Sequence, residues 1–321
     1  MQPPSKRRAD GGETPRPDSG NGAPETSPRT RDVPADTSEA HLPIQLAAGL
    51  YVTATPIGNL GDVTTRALAV LRAADIIACE DTRITGRLLD RYGIETRLTP
   101  YHEHNAAKMR PVLLERLAAG GRVALVSDAG TPLISDPGYR LVREAREAGI
   151  AVFPVPGPSA VMAALSAAGL PTDRFLFAGF LPPRSAARRV ALAEFVALKA
   201  TLVFFESAQR LPETLADMAK VLGAREAVVC RELTKLFEEF RRGALADLAV
   251  AYAGEGPPKG EVVIVLGPPE GEAASDEDVD QLLREALVRA GPSEAARDVA
   301  AATGRPRRDL YRRALALGPR G

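Results

Sequence analysis

From residue 50 onward, short apolar runs alternate with amphipathic stretches. Runs over 50–53, 76–79, 96–100, 123–127 and 151–155 predict strands. The segments between them have a helical period. Over 63–73, Val63, Ala67, Val70 and Leu71 fall on one face, with Asp62 placed as a cap. Residues 111–119 and 139–148 repeat the pattern. Such alternation predicts a mostly parallel sheet with helices on both sides. Residues 159–168 read as a helix of small side chains, stopped by Gly169-Leu170-Pro171. After an apolar run over 175–180 and a break at Pro182-Pro183, the alternation resumes. Strands are predicted over 201–205, 227–231 and 261–266, and helices over 188–198, 212–222 and 247–252.

The fold class read from this pattern is two α/β domains followed by a small helical region. The first domain spans 47–170 and the second 171–269. Residues 270–280, acidic and rich in Gly and Ala, read as a linker, and 281–318 as a helical basic tail. In the tail, Ser293 is placed to cap a helix body over 295–302. Thr303-Gly304 turns the chain and Pro306 helps to open a second helix, an arrangement like a helix-turn-helix. Residues 1–46 hold Pro, Gly, Ser, Thr and charge with almost no large apolar side chains. Such a segment cannot offset its ordering entropy by burial and is expected to be a disordered tail.

Composition narrows the partners. The length of 321 residues suffices for two cores, and only 5% aromatic residues means that aliphatic packing dominates them. The formal net charge is zero, so any nucleic-acid contact must come from local patches. Arg outnumbers Lys 35 to 6, so such patches suit bidentate phosphate contacts. Cys79 and Cys230 sit in apolar runs and are expected to be reduced and buried, as in a cytoplasmic protein. No stretch has the length of a membrane span, and the basic N-terminus lacks the apolar core of a signal peptide.

The candidate chemistry lies where strands end. Three runs lead into loops of small residues and proline: A-T-P-I-G-N-L-G-D after 50–53, S-D-A-G-T-P-L-I-S-D-P-G after 123–126, and P-G-P-S after 151–155. Such loops bring backbone close to a flat or phosphorylated small molecule. Neither G-x-G-x-x-G nor a P-loop is present, nor zinc spacing of Cys and His, nor a G-x-S-x-G elbow.

The set T-P-I-G-N-L-G-D, C-E-D-T-R, H-E-H-N, S-D-A-G-T-P-L-I-S-D-P-G, P-G-P-S, F-F-E-S, R-E-L-T-K and K-G-E resembles the ribosomal RNA small subunit methyltransferase I family, in the tetrapyrrole-methylase superfamily. The resemblance runs collinearly over 50–266. It implies S-adenosylmethionine as cofactor, 2′-O-methylation of a cytidine in small-subunit (16S) ribosomal RNA, a cofactor cleft between the two domains, and a homodimer. Two readings stay open beside it: a tetrapyrrole methylase of the same fold, and a non-catalytic RNA-binding protein of ribosome assembly.

The resemblance places cofactor contacts on Pro56, Asp128, Ala129, Gly130, Thr131, Pro132 and Ser159, and, from the second domain, on Phe205, Glu206, Leu233 and Thr234. Within the central loop, Asp128 is expected to touch the ligand and Asp136 to shape the turn before the next helix. Adjacent strand residues point to opposite faces, so Asp81 takes the helix cap and Glu80 the cleft, as base or ribose ligand. His102 and His104 are further catalytic candidates, as bases or hydrogen-bonding groups; a third ligand is missing by spacing, so no metal is expected. For RNA, two basic clusters stand at the domain junction: Arg184, Arg188 and Arg189, and Lys235 in R-E-L-T-K. A third, in the tail, holds Arg305, Arg307 and Arg308, with Arg312 and Arg313 close behind.

Overall fold

The computed structural model describes residues 45–269, 276–303 and 305–317. The expected disordered tail lies outside the described residues up to 44, as does the expected linker up to 275.

The first domain is a five-stranded, wholly parallel sheet. Its strands are β1 (Gly49–Thr53), β2 (Ile76–Cys79), β3 (Leu98–Pro100), β4 (Arg122–Leu125) and β5 (Val152–Val155), in the order β3-β2-β4-β1-β5. Helices α1 (Thr65–Ala73) and α2 (Thr82–Arg91) cover one face; α3 (Ala106–Ala118) and α4 (Tyr139–Glu147) cover the other. Strand periodicity sorts the side chains cleanly. Tyr51, Ile77, Cys79, Ala124 and Val126 enter the core with α1 and α2, while Leu50, Ile76, Ala78, Val123 and Leu125 enter the core with α3 and α4. Strands buried on both faces have no polar face to alternate with, which is why they read as continuous apolar runs.

Local details depart from expectation. Thr64, not Asp62, caps α1, its side chain accepting from the Ala67 N–H, and Asp62 ends a short 3-10 turn, Leu60–Asp62. Helix α3 begins at Ala106 and runs through Pro111, five residues earlier than expected.

Helix α5 (Ala160–Ala168), ended by left-handed Gly169, belongs to the first half by sequence but packs on the second sheet. That sheet holds β6 (Phe175–Phe180), β7 (Thr201–Ser207), β8 (Glu226–Arg231), β9 (Glu239–Ala244) and β10 (Glu261–Leu266), in the order β6-β7-β10-β8-β9. Only β6 and β7 pair in parallel; the other pairs are antiparallel, so the second sheet is mixed. One face, with Val203, Val228, Cys230, Val263 and Val265, receives Val161, Ala164, Leu165 and Ala168 of α5. The other packs on α6 (Ser185–Ala193), α7 (Leu211–Leu222) and α8 (Leu245–Glu255). The apolar seam around α5 thus joins the two domains.

Helices α9 (Asp276–Leu287), α10 (Pro292–Thr303) and α11 (Arg307–Leu317) share a small core of Val279, Leu283, Ala296, Val299, Leu310 and Ala314. The second half of the expected linker is therefore helical, and Ser293 lies inside α10 rather than at its cap.

Arg188 corrects the first basic cluster. Its side chain is wholly buried, with Nε 2.7 Å from Asp217 Oδ2 and Nη1 donating to the Pro183 carbonyl at 3.3 Å. One helical turn separates it from Leu192 on the buried side of α6, so it faces the core and not RNA. Removing one member of a buried ion pair strands the other charge. Arg188→Ala is expected to cost about 3–5 kcal/mol in chemical denaturation, whereas Arg184→Ala, on an exposed side chain, should leave the midpoint unchanged.

Candidate active site

The site is assembled from the loops that leave the carboxyl ends of β1, β4 and β5. Thr55 and Gly130 exchange two backbone hydrogen bonds, of 2.9 and 3.0 Å. The Thr55 hydroxyl donates to the Ser127 carbonyl at 3.2 Å, and the Thr131 hydroxyl donates to the Pro158 carbonyl at 3.0 Å. Gly130 is needed here twice over. Its φ is +77°, and an added Cβ would stand 3.2 Å from Ile57 Cγ2.

From the other domain, the loop after β8 closes on this edge. An added Cβ at Gly58 would fall 2.5 Å from Lys235 Cγ and 3.2 Å from the Leu233 carbonyl, so the loop over Gly58 packs closely on the Lys235 side chain. Lys235 Nζ donates to Glu232 Oε1 at 2.8 Å and Glu261 Oε2 at 2.9 Å. Its ammonium therefore clamps the loop, which corrects the expectation that it faces RNA. Left-handed backbone at non-glycine residues concentrates on both sides: Leu133 and Ser135 in one loop, Glu232 and Thr234 in the other. Such strain persists only where surrounding contacts over-determine the chain, and here the clamps supply them.

A cavity of about 250 Å³ lies between these loops. Ala129, Gly130, Thr131 and Ser159 line it from the first domain; Phe205, Glu206 and Leu233 line it from the second. Pro56, Asp128, Pro132 and Thr234 do not line it; Thr234 instead faces a neighbouring surface cavity with Thr64 and Met162. Phe205 contributes its ring, edge-on to Phe177 and Phe180. The Glu206 side chain points to the opposite face of β7. There it accepts from Arg210 and, at 2.7 Å each, from the Ser207 N–H and the Thr214 hydroxyl, so only the main chain of Glu206 is available at the cavity. The sequence reading missed Ile57, Ile134, Phe180, Val262 and Asp136. Exposed Phe180, set before a proline break, was the one legible signal among them.

The two aspartates of the central loop exchange their expected roles. Asp128 Oδ1 accepts from the Asp81 N–H at 2.9 Å and ties this loop to the start of α2. Asp136 lines the cavity. Its carboxyl is pushed up by burial, countered by a Ser127 hydrogen bond and raised further by Asp128. Glu80 is also pushed up, by burial first and then by Asp128, Asp136 and Asp81. Asp81 caps α2, and Arg83 holds its carboxyl down at about 2. Burial pushes Cys79 to about 11 and Cys230 to about 12, so neither thiol is a nucleophile at neutral pH. The rings of His102 and His104 lie 6.0 Å apart, centroid to centroid, and neither lines the cavities at this cleft, whereas their neighbours Tyr101 and Glu103 line one beside Asp136. Of the three expected acid–base candidates, Glu80 lines a cavity, beside Asp136.

Of the remaining arginines, Arg184 is exposed, and Arg189 Nε lies 3.8 Å from Asp217 Oδ1. In the tail, Arg305 Nη1 is 2.6 Å from Asp276 Oδ1, Arg307 reaches the Ser293 hydroxyl at 3.1 Å, and Arg308 is exposed.

Comparison with known proteins gives this architecture its class. The sequence pattern of the Tetrapyrrole (Corrin/Porphyrin) Methylases matches residues 49–249, and that of the RsmI C-terminal HTH domain matches 273–318. Diphthine synthase and the methyltransferase CobJ share the fold, each at a TM-score of 0.53. They are 20% and 21% identical, over 68% and 69% of this chain and 89% and 94% of theirs. Fold and cleft define a methyltransferase of the tetrapyrrole-methylase class, whose methyl donor is S-adenosylmethionine. In Mesorhizobium japonicum, a protein named Ribosomal RNA small subunit methyltransferase I is 55% identical, over 85% of this chain and 93% of its own. Proteins of the same name in Erythrobacter litoralis and Escherichia coli O157:H7 are 52% and 51% identical, over 86% and 75% of this chain and 98% and 85% of theirs. The chain belongs to the ribosomal RNA small subunit methyltransferase I family. Among the described residues, no helix is long and apolar enough to cross a membrane.

The two raised carboxyls make a stability prediction. A carboxyl whose folded pKa lies above its unfolded value favours folding at low pH, and this contribution is lost as pH rises through the folded value. Glu80→Gln and Asp136→Asn should therefore each raise the thermal midpoint at pH 8. The gain should shrink as pH falls through the carboxylate range, read by scanning calorimetry.

Proposed function

We propose that this chain transfers a methyl group from S-adenosylmethionine to the 2′-hydroxyl of a cytidine in small-subunit ribosomal RNA. The observation that carries the reading is the tied cleft between the two sheets, with a glycine cradle on one side and carboxylates at its edge. The named relatives supply the substrate class. The cavity fits the donor. The space over Gly130 is kept free of a side chain, and exposed apolar surfaces of Ile134 and Phe180 offer cover for a flat ring. Ala129, Gly130, Thr131 and Ser159 would hold it on one wall, and Phe205 and Leu233 on the other. When bound, the donor would supply an electrophilic methyl carbon: its bond to sulfur would break as the bond to the ribose oxygen forms, with the electron pair left on sulfur.

The chain's own part is alignment and proton handling. Loops tied backbone to backbone hold the reacting groups in one geometry, which lowers the entropic cost of a displacement. Carboxylates at Glu80 and Asp136 can accept the hydroxyl proton. RNA is held by exposed arginines, with Arg184, Arg189, Arg307 and Arg308 as phosphate contacts. Exposed Leu236 and Phe237 give a homodimer an apolar surface to bury. A cytoplasmic location goes with this reading, because ribosomal subunits are there.

Gly130→Val should weaken S-adenosylhomocysteine binding by more than about tenfold in titration calorimetry, because the side chain has no room and the backbone is left-handed. The paired change Arg307→Glu with Arg308→Glu should leave that affinity unaltered. It should raise KM for small subunits by about tenfold at physiological salt. Mapping the labelled ribose on small subunits tests the substrate; methyl found on a base, or none, would refute it.

A further inference from the structure

A second cavity, of about 600 Å³, opens beside the first. Ser135 and Asp136 line both, so a group seated in the second cavity meets the methyl-donor cavity at these residues. Ser135 is left-handed, with φ of +68°. Gly138, at φ +138°, leaves no room for a side chain, since an added Cβ would stand 3.0 Å from Leu125 Cδ2. The backbone on either side of Asp136 is therefore restricted, and its carboxylate is held by a hydrogen bond with Ser127.

The walls have a definite chemistry. Glu80, Glu103 and Asp136 share this lining with buried Tyr101, which hydrogen-bonds Arg110 of α3, and with exposed Tyr139 and Arg140 at the start of α4. Arg110 is braced by Glu144, Nε to Oε1 at 2.7 Å. The cavity thus offers an accessible flat ring, guanidinium groups and carboxylate acceptors. A nucleotide carries the complements: a base face, phosphates, and hydroxyl and amine donors. Carboxylates also accept from the exocyclic amine of cytosine. A polycarboxylate tetrapyrrole would meet like charge at Glu80, Glu103 and Asp136, and is disfavoured.

We propose that this second cavity receives the target nucleotide turned out of the RNA, with Tyr139 against the base, Arg140 toward its phosphate, and the Asp136 carboxylate on the ribose 2′-hydroxyl at the seam with the methyl-donor cavity. The proposal rests on the methyltransferase reading above. Bases that undergo chemistry are commonly unstacked into such pockets and held by aromatic faces. The bond changes are those of the displacement already described. The hydroxyl proton passes to an Asp136 carboxylate oxygen and then to water.

The full-length protein is assayed with unmethylated small subunits and labelled S-adenosylmethionine, and separately by filter binding of small subunits with no donor present. Calorimetry with S-adenosylhomocysteine verifies that each variant is folded. Asp136→Asn is expected to keep that affinity and to lower kcat roughly 100-fold or more. Tyr139→Ala and Arg140→Glu are expected to keep it as well, and to bind subunits about tenfold more weakly without donor. Wild-type turnover combined with an Asp136→Asn rate within about threefold, or with unaltered subunit binding by both α4 variants, overturns this proposal alone. Absence of turnover by the wild-type protein overturns the substrate reading, and the proposal with it.

Discussion

Everything at the cleft depends on the loops after β1, β4 and β5 being tied to one another by their own backbones. The paired hydrogen bonds between Thr55 and Gly130, with the Thr55 and Thr131 hydroxyls closing on Ser127 and Pro158, leave these loops little freedom. Loops at the carboxyl edge of a parallel sheet are ordinarily its most mobile part. Here they behave as a continuation of the sheet. That rigidity lets Leu133 and Ser135 be held in left-handed backbone. The same edge delivers α5, whose apolar face is buried on the second sheet. One set of ties thus fixes the cofactor wall, the aim of Asp136 and the union of the two domains.

Charge is divided according to need rather than spread over the surface. Some of the arginine that composition would assign to RNA is spent inside. Arg225, only 1% exposed, donates to the Phe195 and Val196 carbonyls at 2.9 and 2.8 Å and fastens the turn after α6. Arg188 holds Asp217, and Arg210 holds Glu206. Carboxylates follow the reverse plan. Asp128 accepts from the Asp81 N–H, while Glu80 and Asp136 remain in partly buried places that favour their neutral forms. A cleft with acceptors at one end and an apolar, glycine-cradled cavity at the other follows from this division.

The first domain was legible because its strands are buried on both faces and therefore stand out as uninterrupted apolar runs. The second was legible only in part. β9 reads E-F-R-R-G-A, an edge strand whose polar residues face solvent, and nothing in its pattern distinguishes it from a loop. The start of α3 was hidden by Pro111, which terminates a helix in most contexts. The collinear motifs located the cleft, but they could not say which way each side chain turns. Glu206 and Arg188 look functional in sequence and are inward-facing by strand and helix phase. Asp136, placed before Pro137, looks like a turn former. Its position between two cavities comes from tertiary strain at Ser135, which no local pattern encodes.

Under the RNA reading, the arginine run of the helical tail serves stability and RNA at once. Asp276 accepts from Arg305 at 2.6 Å and lies 3.1 Å from Arg313, which also pairs with Asp280, so these contacts tie α9 to α11. Asp276 is largely exposed and its arginine partners about one-third exposed, so solvent screens these pairs and each contributes little to stability. The small apolar core of Val279, Leu283, Val299 and Leu310 therefore has to hold the three helices together, with the ion pairs setting only their register. Under the RNA reading, a phosphate that displaces one of these carboxylates removes a weak pair and leaves that core intact. The tail can then exchange internal for external anions without unfolding. This explains why a cluster so heavily paired within the chain is compatible with binding a polyanion, and why its affinity has to be strongly salt-dependent.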